Sequence, residues 1–74
     1  MTVQLTSVLD VKEFVSIATV QPFEIVVKNG EHCVNAKSFM EMCTLDFSKP
    51  LVIDAGGAEN EAKLALLAQN FIAS

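Results

Sequence analysis

Asn29-Gly30, set between two runs of alternating apolar and polar residues, limits this chain more than any other feature. Upstream, Phe23, Ile25 and Val27 alternate with Glu24, Val26 and Lys28; downstream, a second run extends from Glu31 to Ala36. An Asn-Gly pair supplies the two positive-φ residues that a two-residue hairpin favours. The two runs are therefore predicted to be neighbouring antiparallel strands joined at Asn29-Gly30.

The remaining elements follow from punctuation and period. Thr2 to Thr6 places Val3 and Leu5 on one face and Gln4 and Thr6 on the other, as a short half-buried strand does. Ser7 with Asp10 three positions later matches a capping box, and Val8, Val11, Phe14 or Val15, and Ala18 recur behind it at helical spacing. A helix from Val8 to Val20 is expected, stopped by Gln21-Pro22 because proline lacks the amide donor and drives the preceding residue out of the helical region.

Lys37 to Leu45, with Phe39, Met40, Met42 and Cys43, reads as a short amphipathic helix that has Ser38 near its start. Pro50 to Ala55 reads as the last strand and Gly56-Gly57 as a turn. Glu59 and Glu61 favour the first turn of a closing helix through the macrodipole. Leu64, Leu67, Ala68 and Phe71 form its apolar stripe.

The order is β-α-β-β-α-β-α, in one domain spanning residues 1–74 without linker or repeat. An α+β open-faced sandwich, a four-stranded antiparallel sheet with three helices on one face, buries all three helical stripes at once.

Charge and cysteine content remove several functional classes. Five Lys+Arg against nine Asp+Glu give a formal charge of -4. Such a chain has no counterion-release drive toward nucleic acid or anionic lipid. No apolar run is long enough to span a bilayer. Cys33, Cys43 and the single His32 lack the spacing of a zinc site, and no metal or cofactor is expected. The expectation is a cytoplasmic protein with two reduced, buried and inert thiols.

Two stretches resemble the HPr family, the histidine-containing phosphocarrier proteins of the bacterial phosphoenolpyruvate-dependent sugar phosphotransferase system. The first runs from Asn29-Gly30 through Val34-Asn35-Ala36-Lys37-Ser38-Phe39-Met40 to Thr44-Leu45. The second is Leu51-Val52-Ile53-Asp54-Ala55-Gly56-Gly57-Ala58-Glu59-Asn60-Glu61-Ala62. With the Phe23-to-Val27 strand, the resemblance covers roughly the last two-thirds of the chain.

The departure from the family falls between the first strand and first helix. The family's Gly-x-His-x-Arg-Pro-Ala is replaced by Leu5-Thr6-Ser7-Val8-Leu9-Asp10, which puts Ser7 near the missing histidine and Leu9 near the missing arginine. A serine hydroxyl is a weak nucleophile whose phosphate ester transfers poorly, so it cannot stand in for imidazole as a reversible carrier.

The resemblance also implies site residues. Ser38 matches a serine that an ATP-dependent kinase phosphorylates as a regulatory signal. A phosphate there would meet a helix N-terminus with Lys37 beside it, whereas the plainer reading makes Ser38 a helix cap. Phe39, Met40, Cys43 and Thr44 match the patch that the family offers to protein partners. A helix this short buries one stripe, so one of Phe39 and Met40 is expected to face outward. Asp46 stands where the family usually has glycine, and its charge should oppose docking on acidic partners. His32, beside the turn and next to Glu31, is the only imidazole that could accept phosphate, and a solvated histidine without a role is the plainer reading.

The expectation is therefore a non-enzymatic, HPr-like protein that binds partners of the phosphotransferase system or its regulators. The alternatives are a phosphocarrier acting through His32 and a small dimerising or scaffold module.

Overall fold

The computed structural model describes residues 1–73. Strand β1 (Thr2–Val3) is followed by helix α1 (Val8–Thr19), the hairpin strands β2 (Val26–Asn29) and β3 (His32–Asn35), helix α2 (Phe39–Met42), strand β4 (Leu51–Asp54) and helix α3 (Ala58–Leu67), with a 3₁₀ turn at Gln69–Phe71. The strands form one antiparallel sheet in the order β1-β4-β2-β3. This is the expected α+β sandwich, and the element order is as read.

Alternation selects the buried face. Val27 pairs with Ile53 on one side and Val34 on the other, and all three are buried. Their neighbours Lys28, Cys33, Val52 and Asp54 are exposed on the opposite face, where Lys28 and Asp54 form an ion pair at 3.7 Å. Val11, Phe14 and Ala18 of α1, Met42 of α2 and Leu64 of α3 complete the core from the helical side. Phe14 meets Phe71 edge-on, with ring centroids 6.4 Å apart and planes at 81°, which closes the chain's last turn onto α1.

The hairpin turn is displaced by one residue from the sequence reading. Asn29 pairs with His32, so Gly30-Glu31 forms the turn. Gly30 has φ +65°, and no non-glycine residue among those described has positive φ. A turn with positive φ at its first central position alone needs only one glycine, which leaves Asn29 free to extend β2.

Several elements are shorter than their periodic runs. The β1 ladder stops at Val3, because β4 offers partners only to Thr2 and Val3, although Leu5 beyond it is fully buried. Further on, the Gln4 amide donates to Phe71 O at 2.7 Å and its side chain donates to Phe47 O at 3.0 Å. Phe23 and Ile25 precede β2 rather than opening it, and α2 is a single turn where Lys37 to Leu45 was expected.

The stripe of α3 is also narrower. Leu64, Ala68 and Phe71 are buried, but Leu67 is 55% exposed. The helix ends at Leu67, and the tighter 3₁₀ turn swings Phe71 into the core instead.

Candidate functional site

Two short pieces of chain converge at one edge of the helical layer. The first is the start of α1. Ser7 caps the helix, its Oγ accepting from the Asp10 amide at 3.2 Å. The Asp10 carboxylate reaches back to accept from the Thr6 amide at 3.0 Å and from the Thr6 hydroxyl at 2.9 Å. This is the capping box expected from Ser7 and Asp10, with the return bond made to Thr6. The Thr6 amide bond, and then the hydroxyl bond, hold the Asp10 carboxyl below its ordinary value of 3.8, so a fixed negative charge sits at the first turn of α1.

The second piece runs from α2 to β4. Ser38 caps α2, its Oγ accepting from the Glu41 amide at 3.3 Å. Glu41 Oε1 accepts from the Asn35 amide at 3.3 Å, Asn35 O accepts from the Ser38 amide at 3.0 Å, and Asn35 Oδ1 accepts from the Lys37 amide at 2.9 Å. Ser38 is half-buried within this closed set of bonds. The Lys37 ammonium donates to Gln21 O at 2.7 Å, so it ties the end of α1 to the loop before α2.

Met42 takes the buried position of α2, and Phe39 packs against the core while half-exposed. Met40 is 79% exposed. Of the expected pair, Met40 is the outward residue. Cys43 and Thr44 are exposed as well. Asp46 accepts from the Ser48 hydroxyl at 2.6 Å and the Ser48 amide at 3.0 Å, and these bonds lower its carboxyl below the ordinary value, the hydroxyl bond contributing most.

Between the two pieces lies an apolar-walled groove of about 300 Å³ lined by Thr6, Ser7, Val8, Val11, Cys43 and Phe47. Val8 is 65% and Leu9 75% exposed beside it. Sequence reasoning counted Val8 as part of the buried stripe of α1 and passed over Phe47. Helical period assigns a face, but it does not reveal that Val8 lines an open groove while Val11, on the same face, is buried.

His32 belongs to the other end of α2. The Thr44 hydroxyl donates its only proton to Glu41 O at 2.6 Å, so its 3.0 Å contact with His32 Nε2 requires Nε2–H as the donor. The exposed imidazole thus latches the hairpin to α2, with Asn29 Nδ2 donating to Asp46 O at 3.4 Å beside it. Among the described residues, no three His, Cys, Asp or Glu side chains gather as a metal site, and no helix is long and apolar enough to cross a membrane.

The thiols correct the sequence reading, since both are free and exposed rather than buried. Val34 takes the inward position of β3 and turns Cys33 outward, opposite Lys28. Cys43 follows Met42 as the helix cap and faces the groove.

Known structures place the architecture. Crh, the catabolite repression protein of Bacillus subtilis, aligns over 100% of this chain and 90% of its own with a TM-score of 0.67 and 22% identity. The fold is the HPr fold. In its crystal that protein forms an intertwined dimer with a swapped domain. No family model and no curated protein sequence matches the chain. Within the HPr fold, the groove is lined by Ser7, which the sequence resemblance aligned with the missing histidine, and by Cys43.

Proposed function

We propose that this chain is an HPr-like protein that carries no phosphate on histidine and acts in the cytoplasm by binding protein partners of the sugar phosphotransferase system or its regulators. One observation carries the reading. At the aligned phosphoacceptor position stands Ser7, whose hydroxyl is engaged by the Asp10 amide. The Asp10 carboxylate lies on the adjacent Thr6 donors, where an incoming phosphoryl group would need to be stabilised. Two like charges at one helix start repel, and no arginine is present in the chain to offset them. The site opposes phosphoryl transfer in both its nucleophile and its field.

What remains is a surface. Met40, Cys43 and Thr44 present side chains that the core does not use, beside the half-exposed Phe39, and Cys43 also lines the groove at the start of α1. A bound partner covering this apolar face would gain from its removal from water. The likeness to a catabolite repression protein supports a regulatory role over a transport role.

The test is intact mass after incubation with phosphoenolpyruvate and cognate enzyme I, alongside a no-donor control. The expected spectrum is unchanged. An acid-labile gain of one phosphate that disappears in a His32→Gln variant would overturn the reading in favour of phosphocarriage. Amide shifts on titration with enzyme I or an HPr-binding regulator should then cluster at Met40, Cys43 and Thr44.

A further inference from the structure

We propose that Asn29 is a site of spontaneous modification, where the Gly30 amide closes on the Asn29 side chain and converts it to aspartate and isoaspartate at a rate set by the contacts of the hairpin tip. Of the four asparagines, Asn29, Asn35, Asn60 and Asn70, only Asn29 is followed by glycine. The structure separates it from the others by the state of the attacking nitrogen.

At the other three, the amide that follows is already bound. Ala36 N–H donates to Ile25 O at 3.0 Å, Glu61 N–H to Gly57 O at 3.0 Å and Phe71 N–H to Ala68 O at 2.9 Å. The Gly30 amide has no turn or loop partner among the described residues. Gly30 is exposed at φ +65°, and the space that a Cβ would take there is open. Nothing crowds a ring at this position, and glycine supplies the backbone freedom that closing one requires.

The chemistry balances with water alone. The Gly30 nitrogen forms a bond to Asn29 Cγ, the Cγ–Nδ2 bond breaks, and Nδ2 leaves as ammonia with the Gly30 amide proton. Solvent water then opens the five-membered imide. Opening at Cγ leaves aspartate. Opening at the main-chain carbonyl leaves isoaspartate, whose main chain runs through Cβ and Cγ and is one atom longer.

Ring closure requires Asn29 to leave the extended conformation that its pairing with His32 imposes. Two contacts at the tip resist this: Asn29 Nδ2 donates to Asp46 O at 3.4 Å, and His32 Nε2–H donates to the Thr44 hydroxyl at 3.0 Å. The reaction therefore proceeds through local opening of the hairpin tip. Afterwards the donor to Asp46 O is gone and a carboxylate stands in its place, while isoaspartate also breaks the register with His32. The change adds one negative charge to a chain already at -4 and releases the hairpin tip from the segment after α2. It does not depend on which partner the chain binds.

The test is incubation of the purified protein in warm, mildly alkaline buffer, followed by intact mass, peptide mapping and methyl transfer by a protein isoaspartate methyltransferase. The mass should rise by the difference between a hydroxyl and an amino group. The change should map to residue 29 before any other asparagine, and the methyltransferase should label the aged chain. Asn29→Gln, whose longer side chain would need a six-membered ring, should keep its mass over the same period with a native amide spectrum. Thr44→Val removes one tip contact and should speed conversion about fivefold, the gain in opening expected from one lost hydrogen bond. An unchanged mass over a period in which the guanidinium-unfolded chain converts fully would overturn the proposal. So would conversion that starts at Asn35, Asn60 or Asn70, or a rate that Thr44→Val leaves unaltered.

Discussion

The carboxylate of Asp10 lies 3.0 Å from the amide and 2.9 Å from the hydroxyl of Thr6, four residues earlier, so the chain places its own anion at the start of α1. Ser7 completes the motif from the other direction. Removing the Ser7 hydroxyl orphans the Asp10 amide. Ser7→Ala should cost about 1 kcal/mol, whereas Ser7→Asp keeps an acceptor and should cost less in spite of the nearby charge. Urea unfolding followed by circular dichroism checks both.

Asp10 and Asp46 set an acid limit on stability. Hydrogen bonds hold both carboxyls below 3.8 in the folded chain, so the unfolded chain binds more protons in the acid range. Their contribution is complete above the ordinary carboxylate value and is lost as pH falls through the lowered folded values. The melting temperature should therefore decline as pH is taken below about 4. In Asp10→Asn and Asp46→Asn the decline should be shallower, as melting curves between neutral and acid pH would show.

Phe14 and Phe71 hold the chain end onto α1. Phe14 is fully buried, and its truncation leaves a cavity facing Phe71. Phe14→Ala should cost about 3 to 5 kcal/mol, a large share of the stability of a domain this small. Phe14→Leu should cost less, and chemical denaturation separates the two.

Ser38 tests the regulatory reading. As a cap, Ser38→Ala should cost about 1 kcal/mol and Ser38→Asp should be nearly neutral. A phosphate on Ser38 would stand next to the Glu41 carboxylate, and repulsion should break the Glu41 bond to the Asn35 amide. After treatment with an ATP-dependent HPr kinase, any phosphorylated fraction should show faster amide exchange at Asn35.

Glycine at position 57 is required by its backbone. At φ +139° a side chain is strained even though the space around it is open. Gly57→Ala should lower stability by about 1 to 3 kcal/mol by loosening the turn into α3, measurable as a fall in melting temperature.

Most of the architecture was legible in the sequence because it rests on local physics. Val27 and Val34 alternate with polar neighbours, Pro22 ends α1, Ser7 and Ser38 cap the helices that follow them, and Gly56-Gly57 turns the chain into α3. These are short-range preferences of backbone and side chain, and they do not depend on the rest of the molecule. Tertiary structure decided where each element stops and which atoms remain free. The length of β1 depended on how far β4 runs beside it, the hairpin register on Asn29 pairing with His32, and the exposure of Leu67 on the 3₁₀ turn that carries Phe71 inward. The exposure of Val8, Met40 and Cys43 was decided by packing, in which Val11 and Met42 take the buried positions of α1 and α2. Period assigns a side chain to a face, but only the packed chain determines whether that face is covered.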